Sequence, residues 1–398
     1  MPVVYERREY LSFLLQNRDR EMVKVLTGLR GAGKTALFAA YIRLLAESGV
    51  PESRILYMDL SDPDMRRYFP QDHLYRRILD RLRGAERAYI FLDEAQALPD
   101  CPRLADALFR ISRFDLYLAG SGLAAMLPAF SAALPGRCLV KTVYPLSFAE
   151  MAAAESRAPD EAALLRYVSE STLPGVTRRH APRSELDGCV SAALLHEVLD
   201  NAVHPGLLEK LLRLVSLRLG DCLTDRELCA AAGRAGRPLL AKTLRAAFGR
   251  LEAAGLLLSA PLLHLAPDGT LRAADGARRY FFPDGAMTSL WGADDDRDAR
   301  LLTNAAAMEL IRRCGAVHTV QTARGPVDFL TGRDALPALW QLIPRADETA
   351  EEKLAALAAA PDAYKKCVLT FETALPAPDG VFVYPLVPWF LRRDPRLV

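Results

Sequence analysis

The sequence predicts an α/β fold: a parallel sheet with helices on both faces, then a helical lid with a winged helix, then a small mixed α/β domain. Three observations predict it. Over residues 1–150, short apolar runs alternate with helical segments, the rhythm of strands joined by crossover helices. After Pro145 the pattern turns helical and rich in Ala, Leu and Glu. Beyond Thr303, one helical segment is mixed with five apolar runs.

In the first region the strands are MVKVLT (22–27), ILYMDL (55–60), AYIFLD (88–93), DLYLA (115–119) and CLVKTVY (138–144). Helices are predicted at 34–48, 72–83 and 123–133. A chain of 398 residues exceeds one ordinary core. The expected division is a core at 1–150, a lid and winged-helix region at 151–275 and a mixed domain at 276–398. Within the middle region Thr224 caps one helix, a glycine turn follows at 233–236, and a second helix spans 238–254. Two apolar strands, LLLSAP and LLHLA, complete it. In the last region the strands are VHTV, PVDFL, ALWQLI, KCVLTF and VFVYPL, and the helix is 305–314.

Composition excludes several classes. A 51% hydrophobic and 25% charged chain is globular, and a net charge of +2 argues for no partner. Residues 1–15 lack the uninterrupted apolar stretch of a secretory signal. The longest apolar run, 251–266, is broken by Glu252, Ser259, Pro261 and His264, too short to span a bilayer. The expectation is a cytoplasmic protein with no membrane partner. The seven cysteines are scattered without a C-x-x-C pair, and the six histidines show no H-E-x-x-H spacing, so neither disulfides nor zinc are expected. Asp294, Asp295 and Asp296 read as a solvated loop.

The chemistry sits on the strand ends. Gly28, Leu29, Arg30, Gly31, Ala32, Gly33, Lys34 and Thr35 spell G-x-x-x-x-G-K-T between a strand and a helix. The pattern arises by accident in roughly one chain in a hundred of this length, and far less often in that context. Its glycines let the backbone turn N–H groups inward around a phosphate chain, with Ala36 opening the helix just beyond. Lys34 brings a point charge to the β and γ phosphates, and Thr35 a hydroxyl for Mg²⁺. This is a P-loop, and the ligand it implies is ATP or ADP with Mg²⁺.

The strand ending Asp93-Glu94 delivers two carboxylates beside that loop. Asp93 suits a Mg²⁺ ligand and Glu94 a general base for the attacking water. Ser121, ending the next strand, suits a γ-phosphate contact or a helix N-cap. Arg137, before the fifth strand, suits either an arginine finger reaching a neighbouring subunit's nucleotide or a surface ion pair.

The order P-loop, Asp-Glu strand, polar sensor strand, arginine and Pro145-Leu146-Ser147-Phe148-Ala149-Glu150 resembles the AAA-type ATPases of bacteria and archaea. More narrowly, the chain is similar to the group that joins such a module to a C-terminal domain with a degenerate restriction-nuclease-like core. Residues 5–11 (YERREYL), 89–96 (YIFLDEAQ) and 144–150 (YPLSFAE) carry the likeness strongly. Residues 279–282, 309–315 and Val327-Asp328-Phe329 carry it loosely. Thr303-Asn304 stands where that group commonly has Glu-Asn, and the sensor strand ends Gly-Ser-Gly without the group's asparagine. The resemblance implies that the sensor strand lies between the P-loop and Asp-Glu strands.

Two further chemistries bear on the residues. Arg237, Lys242, Arg245 and Arg250 on or beside the second winged-helix helix allow DNA as a partner, though they are few charges for phosphate neutralisation. A restriction-type nuclease needs a metal-binding Asp followed by a Glu-x-Lys strand. Asp328 supplies the first, but Leu339-Trp340-Gln341-Leu342-Ile343 lacks Glu and Lys, so no cleavage is expected. The functional expectation is Mg-dependent ATP hydrolysis coupled to conformational change or to a homo-oligomer. A nucleotide-gated DNA-binding switch is the alternative.

Overall fold

The computed structural model describes residues 5–69, 72–155, 158–179, 186–188, 190–191, 204–290, 297–332, 337–372 and 375–392. Cys189 and the Asp294–Asp296 triplet lie outside the described residues.

The first region forms its five expected strands and three expected helices, with two further helices at Arg8–Gln16 and Cys101–Phe109. Strands β1 (Val23–Thr27), β2 (Ile55–Asp59), β3 (Ala88–Asp93), β4 (Phe114–Ala119) and β5 (Cys138–Thr142) form a parallel sheet in the order β2-β3-β4-β1-β5. β1, β3 and β4 are buried at every residue, which is why they read as unbroken apolar runs rather than alternating ones. Helices α1 (Arg8–Gln16), α2 (Lys34–Glu47), α3 (His73–Arg81), α4 (Cys101–Phe109) and α5 (Leu123–Ala133) connect and cover them. One face packs Phe38, Tyr41, Phe91 and Tyr117 into an aromatic cluster, and the other packs Val25, Ile90, Leu118 and Phe130. This strand order with a glycine loop between β1 and α2 is the P-loop NTPase fold. The sensor strand β4 lies between β1 and β3, as the resemblance implied.

Helices α6 (Phe148–Ala154), α7 (Glu161–Ser169) and α8 (Pro174–Arg179) follow the core. Next come α9 (Pro205–Leu217), β6 (Cys222–Thr224), α10 (Asp225–Arg234) and α11 (Ala241–Ala253), then the hairpin β7 (Leu258–Leu265) and β8 (Leu271–Phe281). Thr224 and Glu227 form a reciprocal capping box at the start of α10. LLLSAP and LLHLA, expected as two strands, belong to a single strand, β7. Pro261 lies at a register shift between β7 and β8, where a residue without an N–H interrupts the ladder but not the strand.

The remaining elements are α12 (Arg297–Cys314), β9 (His318–Thr322), β10 (Gly325–Thr331), β11 (Ala338–Leu342), α13 (Ala350–Ala358), β12 (Lys365–Thr370), β13 (Val381–Pro385) and α14 (Leu386–Phe390). All five expected strands are present. The helix expected at 305–314 begins at Arg297, because Leu301 and Leu302 extend its buried stripe by two turns. One mixed sheet, β13-β12-β11-β10-β9-β7-β8-β6, runs through both the middle and last regions. Strand β8 crosses the 275/276 boundary, and β7 pairs in parallel with β9, so the two regions share a sheet.

Candidate functional site

The parallel sheet brings most of its chemical residues to one end, past the last residues of β1, β3 and β4. Register pairs Leu92 with Leu118, and the Gly120 N–H donates to the Leu26 carbonyl at 3.1 Å. The ends of β1, β3 and β4 therefore carry the loop 28–35, Asp93-Glu94 and Ser121 side by side. Gly28, Gly31 and Gly33 all have positive φ. At Gly28 a Cβ would stand 2.2 Å from the Val143 carbonyl oxygen, so the loop can pass the end of β5 only without a side chain. Lys34 is buried, and its Nζ donates to the Gly28 and Leu29 carbonyls at 2.8 and 3.0 Å. The ammonium is thus folded back into the cradle where a phosphate chain would sit. Arg30, Thr35 and Ala36 are exposed around its mouth, and Ala32 is buried.

Asp93 is buried at the end of β3. Its Oδ1 accepts from the Glu94 N–H at 2.9 Å, and its Oδ2 from the Tyr57 hydroxyl at 3.1 Å. Burial and the neighbouring Asp93 carboxylate push the Tyr57 phenol up, so Tyr57 keeps its proton and acts as donor. Glu94 takes a left-handed conformation (φ 48°) that turns its carboxylate out of the strand line. Ser121 is fully buried and is not the cap of α5; Gly122 holds that position and no side chain caps the helix. Its hydroxyl instead accepts from Gln96 at 3.3 Å. The oxygens of Asp93, ending β3, and Thr35, opening α2 after the loop, suit a hard cation such as Mg²⁺.

Arg137 stands apart. β1 and β5 run parallel, and Arg137 precedes β5, so it lies at the opposite end of the sheet, roughly 16 Å from the loop at about 3.3 Å per residue. Its carbonyl accepts from the Val23 N–H at 2.8 Å and its exposed guanidinium lies 5.3 Å over the Phe109 ring. It lines a cavity of about 380 Å³ with Arg20, Asp106 and Arg110.

One basic residue of the YERREYL lead-in reaches the loop, which its sequence context alone does not reveal. Arg7 is buried; Nη1 donates to the Ala32 carbonyl at 2.8 Å, Nη2 to the Tyr144 carbonyl at 2.8 Å, and Nε to Glu150 at 2.7 Å. Gly33 also abuts α8, where its Cβ position is 3.5 Å from Pro174. Gly255, just past α11, packs on the loop's far side, its Cβ position 3.0 Å from the Leu29 nitrogen.

Residues 20–152 match the family model described as the AAA domain. The loop, Asp93-Glu94, Ser121 and Arg137 all fall inside that AAA stretch; Arg7 and the second sheet lie outside it. An uncharacterized protein of Haemophilus influenzae is 23% identical over 400 residues, covering 97% of this chain and 98% of its own. The Walker-type ATPase of Pyrococcus abyssi is 14% identical, with TM-score 0.47, over 72% of this chain and 96% of that one. AMPPCP-bound DnaA of Aquifex aeolicus is 13% identical, with TM-score 0.31, over 61% and 86%. Similarity at these levels leaves the functional reading to the residues themselves.

At the nuclease-like candidate the Asp328 carboxylate is already paired with a cation. Asp328 Oδ1 pairs with Arg279 at 2.9 Å, and Oδ2 accepts from Gln341 Nε2 at 3.0 Å and the Leu342 N–H at 2.8 Å. Gln341 thus sits on the adjacent strand as a donor to Asp328. Among the described residues no group of three or more His, Cys, Asp or Glu is placed to hold a metal ion. Among the same residues no helix is long and apolar enough to cross a membrane.

Proposed function

We propose that the chain binds ATP with Mg²⁺ at the loop 28–35 and hydrolyses it, using the cycle to move the lid and second sheet against the core. The observation that carries this is the alignment of a phosphate cradle, a buried Asp, a neighbouring Glu and a buried serine at one end of the sheet. Lys34 leaves the Gly28 and Leu29 carbonyls and donates to the β and γ phosphates. Thr35 and Asp93 would hold Mg²⁺, which would offset phosphate charge there. Glu94 takes the proton from the attacking water, and Ser121 donates to the terminal phosphate. Arg137, too far to serve its own loop, acts on a neighbour's nucleotide in a homo-oligomer.

The segment α9-β6-α10-α11-β7-β8 has the element order of a winged helix, which we read as a packing module. Its hairpin, the wing, is committed to the larger sheet: the Tyr364 hydroxyl donates to the Gly269 carbonyl in its turn at 3.1 Å, and Leu263 and Leu265 lie in the core with Val320 and Leu357. Lys242 and Arg245 remain exposed on α11, but Arg245 pairs with Asp225 at 3.1 Å. With Arg237 also exposed just before that helix, these remain few charges for phosphate neutralisation, so the DNA-gated alternative does not lead. The mixed domain, with Asp328 occupied, is a non-cleaving interaction module.

The test is ATP turnover and nucleotide affinity at several protein concentrations, with and without duplex DNA. Turnover that disappears together with binding in Lys34→Ala supports the reading. Near-parental ATP affinity in that variant overturns it, and a DNA affinity that switches between ADP and ATP favours the alternative.

A further inference from the structure

The residue two positions after Glu94 is placed to control it. The left-handed turn at Glu94, closed by the Ala97 N–H donating to the Glu94 carbonyl at 2.9 Å, brings the Gln96 side chain alongside the Glu94 carboxylate. Gln96 Nε2 donates to Glu94 Oε2 and also to Ser121 Oγ at 3.3 Å. The amide orientation is set by chemistry, since an ionised carboxylate only accepts and must face the NH₂ group. Ser121 Oγ then serves as acceptor, which leaves its own proton to point at a different acceptor. The remaining amide oxygen, Gln96 Oε1, is buried and has no partner among the described residues. It occupies space that exists only because residue 120 is glycine: a Cβ there would lie 1.9 Å from it. A buried orphan acceptor is an uncommon, costly feature in a folded protein. Here it accompanies an amide held by two acceptors on its other side.

Building on the ATPase reading above, we propose that Gln96 is a positioning residue that joins the sensor hydroxyl of Ser121 to the base Glu94. Its carboxamide sets the rotamer of the Glu94 carboxylate, leaving Oε1 of that carboxylate free to take the proton of the attacking water. The same amide keeps the Ser121 hydroxyl proton aimed at the terminal phosphate, so a triphosphate and an aligned base are read together.

The experiment is steady-state turnover and affinity for a non-hydrolysable ATP analogue in Gln96→Leu, Ser121→Ala and the double variant of the full chain. Losing a hydrogen bond to a charged group predicts a turnover loss of about 10- to 100-fold in Gln96→Leu. Analogue affinity should change by no more than about twofold, and the double variant should be no slower than the slower single one. Parental turnover in Gln96→Leu, or losses that multiply in the double variant, overturns the proposal. Should Gln96→Leu lose nucleotide binding altogether, Gly120→Ala decides. Its methyl group displaces the retained carboxamide, so turnover must fall with binding kept, and unchanged turnover overturns the link. Glu94→Gln separates this inference from the one beneath it. If Glu94→Gln turns over normally, the base assignment itself is wrong. If it is inactive while Gln96→Leu is not, only the role of Gln96 fails.

Discussion

The Arg7 guanidinium and the Ala32 carbonyl are joined by a 2.8 Å hydrogen bond inside the phosphate loop, although 25 residues separate them. Arg7 also ties the Tyr144 carbonyl and Glu150 to the same point, so one buried side chain fastens the loop to the segment leaving β5. Arg7→Ala should weaken nucleotide binding about tenfold or more, because the loop loses a charged donor and Glu150 its partner. Arg7→Lys should recover only part of this, since one ammonium cannot serve three diverging acceptors. Calorimetric titration with ADP checks both, and parental affinity in Arg7→Ala removes the arginine from loop positioning.

Glu94→Gln should retain ATP while losing most hydrolysis, because the amide cannot accept the proton of water. Lys34 and the loop are untouched by that change. The paired measurement is analogue affinity and phosphate release; a variant that turns over at the parental rate leaves some other group as base.

Much of this was legible because it is local. G-x-x-x-x-G-K-T is contiguous, and the fully buried β1, β3 and β4 announce themselves as apolar runs that end in polar residues. What was missed is held by contacts between distant segments. Arg7 looks like any surface arginine until the fold carries it to Ala32, and Gln96 is only a letter in a family string until β4 brings Ser121 beside it. The shared second sheet was hidden for the same reason, since the parallel pairing of Leu262 with Thr319 joins segments with no local mark of their partnership. Helix α13 was overlooked because AEEKLAALA carries few large apolar residues. The parallel pairing of β11 and β12 nonetheless demands a crossover of that kind.

The Arg279–Asp328 pair carries a double prediction. Asp328→Ala should leave Arg279, nearly buried, without its partner and cost about 3–5 kcal/mol of stability. The parental chain should show no metal-dependent cleavage of single- or double-stranded DNA, because the Arg279 cation already neutralises the Asp328 carboxylate and no Glu-x-Lys follows. Cleavage that vanishes specifically in Asp328→Ala would refute the second half.

Glu309 gives a prediction with a pH signature. Burial pushes its carboxyl up, but Arg312, Arg313 and Arg392 outweigh burial and hold it below the usual value of 4.5. Those partners lie at 3.4, 2.8 and 2.9 Å, and Arg312 also donates to the Pro145 carbonyl, so the cluster pins α12 to the core. A depressed folded pKa contributes stability that is present above 4.5 and lost as pH falls through the folded value. Glu309→Gln should therefore be less stable than the parent by about 3–5 kcal/mol near neutrality. The gap should begin to close as the pH drops below 4.5 and vanish below the folded value, where the protonated parent resembles the variant. Denaturant titrations across that range check the sign, and a gap independent of pH rules out the charge as its source.

Arg137 makes the boldest prediction. It sits at the sheet end opposite its own Lys34, exposed over Phe109, so an effect on hydrolysis must be exerted on another subunit's nucleotide. Specific activity should then rise with protein concentration as subunits meet. Arg137→Ala should cost roughly a thousandfold in turnover with ATP affinity little changed, the scale of a finger that stabilises transition-state charge. Mixing Arg137→Ala with Lys34→Ala is the sharper measurement. One protein keeps the loop and the other keeps the finger, so a mixed pair rebuilds one complete site and some activity should return. A chain fully active at high dilution, or mixtures as inactive as their components, would leave Arg137 as a surface cation resting on Phe109.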